Sequence, residues 1–241
     1  MRLRGNDVAL MGVMGALIVA AGYIRLTPIV GAATYQFSLG SVALQITAAI
    51  LGPLFGTATA FAGSFAGQYL TGQGGSFPLF VPATAGAAVT GLLVWGRMRE
   101  GMALMAVIIA SWYALPVGRQ LWYYPYLHVA ALVLCVALWP RLRSWREGTA
   151  PARTAALALF CTTGLLADHL VGSVIAAPLF NLTADMYRAV LFIYPVERLV
   201  LGAASAVVGT PVLLALERAS FPIVMHAWKG RASPQREDSG T

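Results

Sequence analysis

The sequence predicts an all-α, polytopic integral membrane bundle of about eight helices with both termini in the cytoplasm. Three observations carry this. Apolar residues make up 59% of the 241 and charged residues only 10%, with a mean hydropathy of +0.73, whereas soluble domains are roughly a quarter charged. Several apolar runs are long enough to cross a bilayer, which takes about 20 helical residues. Positive charge sits at alternate ends of those runs. With the N-terminus inside, the inner segments carry twelve Arg or Lys (Arg2, Arg4, Arg97, Arg99, Arg141, Arg143, Arg146, Arg153, Arg218, Lys229, Arg231 and Arg236) and the outer segments four (Arg25, Arg119, Arg188 and Arg198).

Hydropathy and the Gly and Pro breakers place helices at roughly 7–25, 38–52, 54–71, 79–97, 101–118, 122–140, 153–178 and 190–217. A looser second half would give six. Residues 1–230 form one transmembrane domain, and the polar end "RASPQREDSGT", 231–241, reads as a disordered cytoplasmic tail. The net charge of +7 comes from residues at helix ends, without a basic stripe or interleaved aromatics. Nucleic acid is therefore not an expected partner, whereas membrane lipid is.

The opening "MRLRGNDVALMGVMGALIVAAG" has the flavour of a signal peptide, but its apolar run is long and a second span soon follows, so it reads as a retained helix. Gly12, Ala16 and Ala20 recur at four-residue spacing and share one smooth face. That face suits either close packing inside the bundle or the docking of a different subunit.

The second and third helices meet at Gly52-Pro53, the expected end-and-start punctuation. Ser38, Ser41 and Gln45 follow helical spacing on one, and Ser64 and Gln68 on the other. Polar side chains in hydrocarbon need partners, so these face the interior. They either tie helices together or present hydrogen-bonding groups to a pocket open to the outside. Gly63 and Gly67 make a second small face, suited to internal packing.

Between the fifth and sixth helices "RQLWYYPYLH", Arg119 to His128, concentrates aromatics at the outer boundary. An interfacial belt explains it, as does one wall of a small-molecule pocket. Tyr123 and His128 are candidate ligand contacts there, and Arg119 could attract an anion.

The seventh helix holds Asp168 and His169 well inside the membrane, with Gly164 and Gly172 on the Asp168 face. An intramembrane acid marks either a functional site or a structural ion pair. In "YPVERL", Pro195 and Glu197 suit the first turn of the eighth helix. Arg198 lies on the outer side against the charge rule and needs an acid, with Asp168, Asp185 and Glu197 available. Asp185 and Arg188 could also pair locally. Cys135 and Cys161 sit in apolar runs and read as packing residues.

No GxxxxGK[ST], GxSxG or HExxH occurs, so the chain reads as neither an ATPase of that kind nor an enzyme, without cofactor. Asp168, His169, His128 and Glu197 are too dispersed to suggest a metal site.

From Val8 to about Gly96 the chain resembles the substrate-binding S components of energy-coupling factor transporters. The likeness lies in Ala16-x-x-x-Ala20, in "AAILGPLFGTATAFAG", and in the Gly-rich loop before "AGAAVTGLLVWG"; "YPVERL" and "VVGTPVLLALERA" are a looser match. The resemblance implies capture of a vitamin or other small nutrient at the outer face of a prokaryotic plasma membrane. It also implies a transmembrane coupling subunit, docked on Gly12, Ala16 and Ala20, and two cytoplasmic ATPase subunits. The family usually has six membrane helices. The candidate substrate contacts are Gln45, Gln68, Arg119, Tyr123, His128, Asp168, His169, Glu197 and Arg198. Two other classes stay open: a self-contained carrier with Asp168 and His169 as a proton relay, and a non-transporting scaffold whose small-residue faces bind partners.

Overall fold

The structure, a computed structural model, describes residues 5–29, 32–75, 77–146 and 148–219. Lys229 and the tail expected at 231–241 lie outside them. The order is α1 (Gly5–Gly22), β1 (Arg25–Ile29), β2 (Ala32–Ser38), α2 (Gly40–Leu70), α3 (Phe80–Val94), α4 (Met98–Ala114), α5 (Pro116–Gln120), α6 (Tyr126–Ala137), α7 (Trp139–Arg146), α8 (Ala150–Leu179), α9 (Ala184–Val190) and α10 (Ile193–Arg218).

The protein is a helical bundle, and four of its helices, α1, α2, α8 and α10, are long and apolar enough to cross a membrane. The pair α6 and α7, bent by 75°, would make a fifth as a broken span. Eight full-length spans are not present among the described residues. Helices α3, α4 and α6 have only 15, 17 and 12 residues. At 1.5 Å per residue the shortest covers about 18 Å of a hydrocarbon core of about 30 Å.

The helices expected at 38–52 and 54–71 form the single element α2, broken inside at Gly52, where φ is +79°. Only glycine enters that region freely, and a Cβ there would lie 2.4 Å from the Trp95 ring. Beyond Gly52 the chain doubles back. A Cβ on Gly56 would lie 2.8 Å from the Ala48 Cα, although residues eight apart in a straight helix are separated by about 12 Å. Pro53 has no N–H for the carbonyl of Ala49. The Trp95 indole supplies one instead, Nε1 donating to that oxygen at 3.1 Å. Gly91 of α3 completes the junction, since a Cβ there would meet the Pro53 Cα at 2.9 Å.

The segment 26–37, left without an element by the helix pattern, contributes to two strands, β1 and β2, that pair antiparallel. Thr27 stands opposite Phe37 and Pro28 opposite Gln36. Their base is tied to the end of α2, where Tyr23 Oη donates to the Leu70 carbonyl at 2.9 Å and Arg25 Nη2 to the Thr71 carbonyl at 2.9 Å.

Helix α8 is the axis of the bundle, with every residue from 161 to 170 buried. Small residues let its neighbours approach. A Cβ on Gly164 would lie 2.7 Å from the Gly86 carbonyl of α3, and one on Gly202 of α10 would run into Thr162. On the other side α1 packs through Met14 and Ile18, with Gly63 of α2 against Ile18. Cys135 and Cys161 are buried free thiols.

Candidate functional site

The doubling of α2 and the close approach of α3 to α8 leave space on the strand side of the bundle. There a cavity of about 330 Å³ opens between α1, α2, α8, α9 and α10. Its wall is largely apolar, as small-molecule pockets usually are, with polar groups concentrated on α8, α10 and the end of α2.

Asp168 of α8 and Glu197 of α10 both line it. Behind them Arg198 is wholly buried, its guanidinium 3.6 Å from Asp168 Oδ2 and 3.9 Å from Glu197 Oε2. The basic partner that Asp168 requires is thus Arg198. Asp185 instead holds Arg188 in a local pair at 2.5 Å.

His169, next along α8, begins a polar chain. Its Nε2 lies 3.2 Å from Tyr124 Oη, and its Nδ1 lies 3.4 Å from His128 Nε2. Each contact has one proton to share, so the chain can run in either direction: Tyr124 donating toward His128, or His128 toward Tyr124. His169 stacks on Tyr194 with ring centres 4.3 Å apart and planes 15° off parallel. Two further hydroxyls are committed to backbone. Tyr194 Oη donates to the Tyr124 carbonyl at 2.8 Å, and Tyr187 Oη to the Ser173 carbonyl at 2.8 Å.

At the other end stands Gln68, only 4% exposed. Its Nε2 donates to the carbonyls of Gln73, at 3.2 Å, and Phe77, at 2.7 Å. Its Oε1 is buried without a hydrogen-bond partner. Ser38, Ser41 and Ser64 also line the cavity, so both arms of α2 contribute polar groups to it.

Of the expected contacts, Gln68, Asp168, His169 and Glu197 line the cavity. His128 and Arg198, each 0% exposed, stand behind it. Three others lie elsewhere. Gln45 points into the crossing of α2, α3 and α8, where it accepts a hydrogen bond from Thr90 Oγ1 beside Gly164. It ties helices together. Arg119 is exposed at the end of α5. Tyr123 is exposed too and packs edge-on against Trp122 with ring centres 5.8 Å apart. The rings that the sequence reading did not name among the contacts are Phe77, Tyr124, Tyr187 and Tyr194, all cavity residues. Tyr124 belongs to the same aromatic run as Tyr123, but that run is a chain of turns, and turns offer no helical periodicity to tell inward from outward.

The small face of α1 takes no part in the packing of the described residues. Gly12, Ala16 and Ala20 are all exposed, and a Cβ on Gly12 would meet nothing within 4 Å. Internal packing uses the next stripe round the helix, Met14, Gly15 and Ile18. Gly63 and Gly67 do pack internally, against Ile18 and Val19. Among the described residues, His, Cys, Asp and Glu form no group of three or more able to hold a metal.

Comparison with known proteins yields one distant relative. The chain is 24% identical over 165 residues to the uncharacterized protein MJ0923 of Methanocaldococcus jannaschii, an alignment covering 65% of this chain and 54% of that protein. The chain therefore spans about half the length of this curated relative. No family model matches the chain, and no solved structure matches it.

Proposed function

We propose that the chain is the substrate-capture subunit of an ATP-driven importer of the energy-coupling factor type. It binds a vitamin or similar small nutrient at the outer face of a prokaryotic plasma membrane. Transport then depends on a separate transmembrane coupling subunit and two cytoplasmic ATPase subunits.

The observation that carries this reading is the two-sidedness of α1. Ile18 and Gly22 line the cavity, while Gly12, Ala16 and Ala20 leave a smooth, exposed strip on the same helix. A ligand site and a small-residue surface for a close helix partner therefore share one element. In this reading both termini lie inside, following the excess of Arg and Lys. In the same reading the two arms of α2 and the short α3, α4 and α6 each count as a pass, eight in all with α1, α8 and α10, the bilayer thinning around the helices too short to span it.

Affinity purification from native membranes tests the assignment, with a coupling subunit and ATPase subunits expected to accompany the chain. Their absence under conditions that keep the chain folded would sink it. Cysteine labelling tests the orientation: Gly75→Cys and Asn181→Cys should react from outside, and Ser144→Cys only from inside. External labelling at Ser144→Cys would overturn it.

One observation favours a second reading, a self-contained proton-coupled carrier. The chain Tyr124–His169–His128 runs from the cavity wall into the protein and can reverse its hydrogen-bond direction. Proteoliposomes holding this chain alone would then dissipate an imposed proton gradient when substrate is added. The importer reading expects binding but no such flux.

A further inference from the structure

We propose that the cavity selects an organic cation, an ammonium or protonated nitrogen base with an N–H donor, carried on an apolar or aromatic body. This rests on the capture reading and names the chemical class it takes.

Charge is the first argument. Two carboxylates, Asp168 and Glu197, line the cavity. One guanidinium, Arg198, stands against both from behind and has no exposed surface. Two negative groups and one positive leave this part of the wall with one net negative charge. An anion entering here would meet the carboxylates before the guanidinium. A cation meets them directly, in a low-dielectric setting where the attraction is strong.

The aromatic groups suit the body of such an occupant. Tyr187 and Tyr194 have their hydroxyls committed to the Ser173 and Tyr124 carbonyls, and Tyr124 shares a hydrogen bond with His169. Each ring is at most 4% exposed, so what the three offer an occupant is a narrow apolar margin beside the carboxylates, which accepts an apolar body.

Gln68 supplies the independent observation. Its Nε2 serves two backbone carbonyls, which can only accept, so the orientation of the amide is fixed. The oxygen is therefore a buried acceptor without a donor. Such a group is costly until a donor reaches it, and an N–H on the ligand would meet the need. A cavity of about 330 Å³ suits a molecule of one or two rings.

The test uses purified protein in nanodiscs, with empty nanodiscs as the control for partitioning, and isothermal titration of three matched probes. These are 2-phenylethylammonium, the neutral 2-phenylethanol and the anionic 3-phenylpropanoate. The cation is expected to bind at least tenfold tighter than either of the others. Asp168→Asn, or Glu197→Gln if the first variant folds poorly, should erase that preference. Gln68→Leu should weaken 2-phenylethylammonium several-fold but leave its N-trimethyl derivative, which lacks an N–H, unchanged. Equal or tighter binding of the alcohol or the carboxylate would overturn the assignment, and so would no binding of any probe. Loss of the accompanying ATPase and coupling subunits with cation binding intact would instead remove the importer reading and leave the ligand class standing.

Discussion

The indole of Trp95 donates its N–H to the carbonyl of Ala49 at 3.1 Å, making good across two helices the bond that Pro53 cannot make within its own. The fold-back of α2 thus depends on a residue more than forty positions away. Trp95→Phe keeps an aromatic ring and removes the donor. Leaving a buried carbonyl unpaired costs about 1–3 kcal/mol, so unfolding in detergent should shift by that amount. Gly52→Ala should be worse, because its φ of +79° and the Trp95 ring both oppose a side chain. Wild-type stability in both variants would show that the junction is held by something else.

Gln45 offers the contrasting case, a polar residue that ties helices away from the cavity. Gln45→Leu removes one of two acceptors of Thr90 in a buried crossing, the Phe160 carbonyl remaining at 3.3 Å. Stability should fall by about 0.5–1.5 kcal/mol, while the affinity for 2-phenylethylammonium stays within about twofold. A tenfold loss of affinity without loss of stability would return Gln45 to the site.

Removing one member of a buried ion pair is expensive, about 3–5 kcal/mol, because the other charge remains. Arg198→Met leaves Asp168 and Glu197 facing each other without a neutralising cation, and should be among the most destabilising changes in the bundle. Adding Asp168→Asn to it should recover part of the loss, with a coupling of about 0.5–3 kcal/mol in a double-mutant cycle. Strict additivity would mean that the 3.6 Å approach contributes nothing energetically.

On α1 the two stripes should separate cleanly under bulky substitution. Ala16→Trp and Ala20→Trp add volume at exposed positions and should leave thermal stability and probe binding unchanged while abolishing recovery of partner subunits. Ile18→Trp, at a position only 3% exposed, should disrupt folding instead. Unfolding of the alanine variants would refute the docking face.

The sequence showed most plainly what backbone chemistry enforces. Gly52-Pro53 announces a break because proline lacks the N–H and glycine accepts the turn, and the structure turns there. Asp168 stood out because an acid in an apolar helix needs a partner, and Arg198 because it opposed the charge bias. Three-dimensional neighbours were harder to see. The strands at Arg25–Ser38 are short, and in so apolar a chain their alternation does not stand out against the helices on either side. Gln45 and Gln68 carry the same chemistry on the two arms of α2, and only the fold-back decides that one meets Thr90 and the other the cavity. Ala16 and Ile18 are two positions apart on one helix, yet face opposite ways. Spacing grouped the small residues but did not say which stripe the rest of the chain would cover.

A wall one helix thick, about 10 Å, separates the cavity from the exposed strip on α1. That thinness has a thermodynamic consequence. In the proposed reading an occupant against Ile18 and a partner seated on Ala16 bear on one helix, and their binding free energies are linked to the extent that each favours a different position of that helix. If the occupant alters the partner's affinity by some factor, the partner must alter the occupant's by that same factor. Gly63, held so close to Ile18 that a Cβ would stand 3.1 Å from it, would pass any shift of α1 directly to α2. Under the proposed assignment, release of the occupant would then be driven from outside the bundle, by a protein that never touches it.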